Sequence, residues 1–212
     1  SATAVAVASD ITLTFNEAVR LINNSALDDS NVDALITLKE NNSSGADIAF
    51  NATINGGKTV ITINPNSNLS STQVVYVAIG ATVEDAANNA INAANVSFTT
   101  ADVSAPTMAI TSAEVSDGAS SNDSTLAMTF TSSEATSNFV VGDISVSGGA
   151  LSSFNATSTT VYTATFTPSG DGAKTIDVAG GAFTDSSSNN NSAATQFNWT
   201  YDATSPTLSS ST

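Results

Sequence analysis

A short pattern occurs twice in this chain, with a constant offset of 100 residues. An aspartate that opens a polar loop occurs as Asp85 and again as Asp185, and Ala105-Pro106-Thr107 is matched by Ser205-Pro206-Thr207. A repeat of this period indicates tandem domains. It also favours a function that depends on reach and stiffness more than on a catalytic pocket.

Two further features locate the domains. Strand-like segments that end in a glutamate lie upstream of each loop, at 13–17 and 128–134. Proline cannot donate to a sheet ladder, so the repeated Pro segments mark the ends of domains. We therefore predict one domain at 1–101 and a second at 102–203, with 204–212 as the linker or first strand of a following domain.

Threonine and valine alternate along much of the chain with the two-residue period of half-buried strands. Asparagine and serine are abundant enough to suggest disorder, but the apolar alternation is too regular for a chain without a core. The first half is longer around Leu21–Asn51, and we expect a short helix or an added turn at Leu27–Leu38. Short strands with turn clusters between them predict an all-β fold of two antiparallel sandwiches. The clearest predicted strands are Ile11–Phe15, Thr59–Ile63, Val74–Ile79, Val96–Thr100, Leu126–Phe130, Asp143–Ser147, Val161–Phe166, Thr175–Ala179 and Gln196–Tyr201.

The charge balance excludes several classes of partner. Nineteen acidic residues face four basic ones, for a net charge of −15. Nucleic acid and anionic membrane surfaces need basic footprints, so we expect neither as a partner. No segment is long and apolar enough for membrane insertion.

The chemistry of a catalytic site is also restricted. The chain has no histidine and no cysteine, which excludes a Ser-His triad, a zinc site of His and Cys, and disulfides. Two carboxylates can cleave glycosides, but the sequence indicates no deep cleft with aromatic walls. Phe15, Phe98, Phe130, Phe166 and Trp199 lie in predicted strands and are expected in or beside the cores. We therefore expect no enzymatic activity.

These segments resemble the bacterial Ig-like repeats of large adhesins and surface proteins. The first half carries SDITLTFNEAV, VEDAANNAI and VSFTT, and the second carries APTMAITS, LAMTFTSSEAT and VYTATFTPSGDG. The resemblance covers essentially the whole chain and implies two tandem Ig-like β-sandwich domains in an extracellular protein. Such repeats serve as spacers, binding tips or enzyme appendages, so the implied partners are neighbouring Ig-like domains and a cell-surface or carbohydrate ligand.

In an Ig-like sandwich the loop after strand B and the loop before strand G lie at one pole, where the chain enters. Glu134 follows strand B of the second domain, Asp185 precedes its strand G, and Asp102 lies on the linker. Carboxylate oxygens are ligands that calcium prefers, and related repeats often hold calcium at their junctions. We therefore predict a calcium site at Asp102, Glu134 and Asp185.

The ends of the chain repeat the same logic. Glu17 and Asp85 occupy the corresponding pole of the first domain, and Asp202 is a linker aspartate for a following one. We predict that these three residues are two halves of one further calcium site, in an array where the next domain resembles residues 1–100. The alternative is that the glutamates are solvated and the aspartates only form turns.

Three functions are consistent with this sequence. The first is a structural repeat of an adhesin or surface fibre, stiffened by calcium at its domain junctions. The second is a subunit of a self-assembling filament or surface layer linked through a donated strand, for which 204–212 is the free segment. The third is a carbohydrate-binding appendage of a secreted enzyme.

Overall fold

The computed structural model describes residues 2–209, which are almost entirely strands and connecting loops. Contacts between Cα atoms divide the chain into two compact units, Ser1–Val103 and Ser104–Thr212, here called unit 1 and unit 2. The all-β prediction is confirmed. This division lies two residues after the predicted boundary at residue 101, and positions 210–212 of the predicted third segment lie outside the described residues.

Unit 1 contains two main antiparallel sheets and one small one. The first sheet has the order β1-β5-β4, the second β3-β6-β8, and β2 pairs with β7. Ile61 and Ile63 of β5 face Val75 and Val77 of β6 in a core where all four are at most 1% exposed. The strands are β1 (Ile11–Thr14), β2 (Arg20–Leu21), β3 (Ile36–Glu40), β4 (Phe50–Ile54), β5 (Val60–Pro65), β6 (Val74–Ile79), β7 (Val83–Glu84) and β8 (Ala94–Thr99).

Unit 2 contains two four-stranded sheets. Their orders are β13-β14-β11-β9 and β10-β16-β15-β12, and all pairs are antiparallel except β10 with β16. Its core is aromatic, with the rings of Phe166 and Trp199 packed edge to face at 4.7 Å. The strands are β9 (Met108–Ser112), β10 (Ser120–Ser121), β11 (Leu126–Ser132), β12 (Ile144–Ser147), β13 (Gly149–Ala156), β14 (Val161–Pro168), β15 (Gly172–Val178) and β16 (Phe197–Tyr201).

Each predicted strand is present within three residues of its predicted bounds. The extra segment of the first half contains a single 3₁₀ turn at Asp33–Leu35, as the sequence suggests. Strand β4 was not among the predicted strands, although its residues alternate between apolar and polar and Ala52 at its centre is fully buried. Gly148 takes the left-handed φ of +75° expected of a turn, whereas Gly149 already opens β13.

Candidate metal centre

The loop before the last strand of each unit has the same hydrogen-bonding pattern around its aspartate. In unit 2 the Asp185 Oδ1 accepts the backbone N–H of Ser187 at 2.8 Å and of Asn189 at 2.9 Å. The Asn189 side-chain amide donates to the other oxygen at 2.9 Å. In unit 1 the Asp85 carboxylate accepts the matching three bonds at 2.7–2.8 Å. Both aspartates therefore form turns, as the alternative interpretation expects.

Each of these loops also needs one residue in the left-handed region. Asn88 has φ +67° and Ser188 has φ +70°. Asparagine tolerates this conformation and serine less so. The hydrogen bonds to the aspartate hold both loops in it without a glycine.

The environment of Asp185 keeps its carboxyl ionised. Burial alone raises its pKa, but the hydrogen bonds from Asn189 and Ser187 outweigh burial, so the pKa lies below its ordinary value of 3.8. The carboxyl of Glu134 is also within hydrogen-bonding reach of Asp185. Asp185 is 6% exposed, so most of its surface is occupied by these partners. A buried charge of this kind is held by donors or by a cation.

Two further carboxylates approach Asp185. Glu134 lies two residues after β11, and Asp102 lies on the segment between β8 and β9. Each of the three residues offers one carboxylate oxygen, and these oxygens all lie within 4.8 Å of one another. The structure thus brings together the three residues predicted to hold one calcium ion, here called the acidic cluster.

The acidic cluster fits a hard divalent cation. Calcium takes oxygen ligands at 2.3–2.6 Å, and three oxygens within 4.8 Å can surround one such ion. A carboxylate has about four lone-pair sites, so Asp185 can accept its N–H donors and also ligate an ion. Forming the turn and holding a cation are therefore compatible roles for the same side chain.

The corresponding region of unit 1 is different. Glu17 is exposed and Asp85 is half-buried, and within residues 2–209 neither belongs to a group of three carboxylates. Hydrogen bonds from Asn89 are the main cause of the lowered pKa of Asp85, and the charge of Arg20 adds to it. Unit 1 therefore already has a cation from its own chain beside this loop.

Arg20 on β2 contacts β7 and the loop that follows β7, which was not predicted from the sequence. Its Nε lies 3.1 Å from a carboxylate oxygen of Glu84, which is 5% exposed, and its Nη2 donates to Asn88 Oδ1 at 3.0 Å. In unit 2 the comparable contact is uncharged, since Asn138 accepts the N–H of Thr184 at 3.1 Å. Two features of the sequence indicated this contact: Arg20 is one of only four basic residues, and Glu84 is a second acidic residue beside Asp85.

Asp202 lies on an exposed segment. Its Oδ1 accepts the N–H of Thr204 at 3.0 Å, and its own N–H donates to the carbonyl of Ser121 at 3.1 Å. No group of three carboxylates among the described residues includes it. Its predicted role with Glu17 and Asp85 stays a prediction about a following domain.

Solved structures that match this chain include two bacterial proteins and a titin fragment. The N-terminal part of the bacterial S-layer protein SbsC is 13% identical over 93% of this chain, with TM-score 0.33. InvD of Yersinia pseudotuberculosis is 17% identical over 97% of this chain, with TM-score 0.33, and the titin fragment I67–I69 is 9% identical over 94%, with TM-score 0.36. This chain spans 42%, 58% and 62% of those three chains, or about half the length of the two bacterial ones.

The sequence itself matches two family models, each described as a bacterial Ig-like domain. One covers residues 1–100 and the other residues 102–201. A comparison with curated proteins found no match. Within residues 2–209, no helix has the length and apolar character required to cross a membrane. Since both halves match and both fold into antiparallel sheets, this chain belongs to the bacterial Ig-like family and consists of two such domains in tandem.

Proposed function

We propose that this chain is a structural repeat unit of an extracellular bacterial adhesin or surface fibre, stiffened by calcium at its domain junctions. Bacterial Ig-like domains are typically non-catalytic structural modules of surface or extracellular proteins. The observation that carries the calcium part is the acidic cluster of Asp102, Glu134 and Asp185.

The residue types support a structural rather than a catalytic role. There is no histidine or cysteine to activate a nucleophile. Every aromatic side chain of residues 2–209 is buried or half-buried, so the described surface has no aromatic platform for a sugar. This argues for the structural role over the carbohydrate-binding one.

The acidic cluster has a simple electrostatic role in this proposal. Without a cation, three negative charges within 4.8 Å repel one another, by about 1 kcal/mol per pair in water and about 4 kcal/mol at an effective dielectric constant of 20. A bound calcium ion neutralises them and ties the segment that carries Asp102 to the loops that carry Glu134 and Asp185.

Asp102 also has a partner of its own in unit 1. Its Oδ1 accepts the hydroxyl of Ser71 at 2.9 Å, and the same hydroxyl oxygen accepts the N–H of Val103 at 2.9 Å. These bonds hold the start of the linker, and a cation on Asp102 would restrict the same few residues further. Such restriction at each junction is how the array becomes stiff.

Small-angle scattering and melting temperature test the proposal. With calcium the purified chain should melt at a higher temperature, and its scattering profile should indicate a less flexible particle than in chelator. The Asp102→Asn variant should lose both responses, while Asp47→Asn removes a charge outside the cluster and should keep them. Profiles and melting curves that coincide in calcium and chelator would refute the calcium part.

A second candidate function has its own observation. In the described residues β1 pairs with β5 on one side and with no strand on the other. A subunit of a filament or surface layer linked through a donated strand needs such an edge.

A further inference from the structure

Among residues 2–209, unit 1 has no counterpart of strand β9 of unit 2. In unit 2 strand β9 covers the outer edge of β11. In unit 1 the corresponding sheet ends at β1, and none of residues 2–209 covers its outer edge. Exposed strand edges invite pairing with another chain unless they are blocked.

Register shows which residues of the two units correspond. In unit 2 Thr131 pairs with Val161, and in unit 1 Thr14 pairs with Val60. The next residue donates its N–H to the residue before that valine in both units, from Ser132 to Thr160 and from Phe15 to Thr59. Strand β1 is therefore the counterpart of β11.

The uncovered edge borders an apolar groove. Two adjoining depressions lie between β1 and β8, the edge strands of the two main sheets of unit 1. Val96 of β8 is 48% exposed there, which is unusual for a valine on a strand. The apolar side chains that line the groove are Leu13, Phe15, Ile79, Ile91, Ala94 and Val96.

The chain also contains a segment that matches the missing strand. Ala105-Pro106-Thr107-Met108 leads into β9, and Ser205-Pro206-Thr207-Leu208 repeats it 100 residues later. Met108 is 4% exposed because it packs in the core of unit 2, whereas Leu208 is 97% exposed. The second segment therefore has the pattern of β9, and within residues 2–209 no core buries its leucine.

We propose that residues 204–209 of one copy of this chain add as a strand to the outer edge of β1 in a second copy. The pairing of β9 with β11 supplies the register, since Met108 lies opposite Ser132 and Ala109 opposite Thr131. By correspondence, Leu208 lies opposite Phe15 and faces the groove, and Ser209 lies opposite Thr14 on the outer face.

The same strand addition places Asp202 near the loops of the second copy. Asp102 precedes β9 and joins Glu134 and Asp185. Asp202 precedes the added segment by the same spacing and would approach Glu17 and Asp85 of the second copy. The inference deepens the proposed structural role and rests on it, but strand pairing itself requires no metal.

Engineered cysteines test the register directly, because the chain has none of its own. Neighbouring residues on paired strands are close enough for a disulfide. The double variant Thr14→Cys/Ser209→Cys, treated with a mild oxidant, should form a ladder of disulfide-linked oligomers, because each copy has one donor and one acceptor. Either single variant should stop at dimers, and Thr12→Cys/Ser209→Cys, displaced by two residues, should crosslink much less.

Two results of this experiment would overturn the inference. One is an equal ladder from the Thr12 and Thr14 pairs, which would show random collision. The other is an internal disulfide without a ladder, which would show that the segment folds back on its own copy.

Sedimentation velocity tests association without crosslinks. About 0.5 M salt shortens the Debye length to a few ångströms and so reduces repulsion between copies of charge −15. Burying a leucine favours association by about 10- to 100-fold, so Leu208→Asp should weaken it by at least that factor. Ile22→Asp changes another exposed apolar residue, at 53% exposure, and should have no effect.

Sedimentation velocity repeated in calcium and in chelator separates this inference from the calcium proposal. Association of equal strength in calcium and in chelator supports strand addition. Protein that stays monomeric at every concentration in both buffers overturns it, even if calcium still raises the melting temperature.

Discussion

The Glu134→Gln variant should be more stable than the wild type in chelator and less stable than the wild type in calcium. In chelator the acidic cluster holds three like charges within 4.8 Å, which form three repelling pairs. Removing the charge of Glu134 eliminates two of those pairs. Glu134 is half-buried, so each pair costs closer to the aqueous value of about 1 kcal/mol than to the value for a low dielectric.

The variant should therefore be more stable than the wild type in chelator by about 2 kcal/mol. For a domain of about 100 residues, 1 kcal/mol shifts the melting temperature by about 4–8 °C, so unit 2 should melt about 10 °C higher. In calcium the order should reverse, because the variant has lost a charged ligand. A wild-type site at 100 times its Kd gains about 2.7 kcal/mol from the ion.

Differential scanning calorimetry in calcium and in chelator measures both effects. Asp47→Asn is the matched control, since it removes a carboxylate that is 84% exposed and lies in unit 1. The reasoning fails if Glu134→Gln melts at or below the wild-type temperature in chelator. It also fails if the variant and the wild type gain equally from calcium.

Three further predictions concern the two units separately. Arg20→Met leaves the buried Glu84 carboxylate without its cation and should destabilise unit 1 by about 3 kcal/mol in urea unfolding, whereas Lys39→Met, which breaks an exposed ion pair, should cost less than about 1 kcal/mol. Because the folded-state pKa of Asp185 is lowered, the ionised carboxylate stabilises unit 2 above about pH 4, and this contribution is lost as the pH falls further. Asp185→Asn should therefore make the melting temperature less dependent on pH below that value. An unchanged slope of melting temperature against pH would contradict this prediction. Phe166→Ala removes a fully buried ring and should lower the free energy of unfolding of unit 2 by about 3–5 kcal/mol, seen as a shift of one transition while that of unit 1 stays.

Local patterns in the sequence predicted most of the strands. The alternation in Val74–Ile79 follows the side-chain period of the strand, so it is visible without any knowledge of partners. Strand β4 was not predicted, although its apolar and polar residues alternate, and its pairing with β5 identifies it as a strand. Its central alanine carries almost no local signal.

The candidate site was predicted in part. The resemblance to Ig-like repeats implied that Glu134 and Asp185 share a pole, and the structure brings both of them together with Asp102. The contact of Arg20 with Glu84 spans 64 residues, and the comparable contact in the second repeat, of Asn138 with Thr184, is uncharged. An ion pair that is distant in sequence and is not an ion pair in the other copy has no pattern from which it can be inferred.

The sequence by itself determined that this chain contains two β-sandwich domains and that one loop and one linker are repeated, because strand periodicity and repetition are properties of residue order. Only the tertiary structure showed that the loop aspartates are held by three N–H donors and that one of them joins an acidic cluster. It also showed that, within residues 2–209, one edge of β1 is uncovered and Leu208 is exposed. Whether a strand has a neighbour depends on which distant segments fold against it, and the order of the residues does not record that.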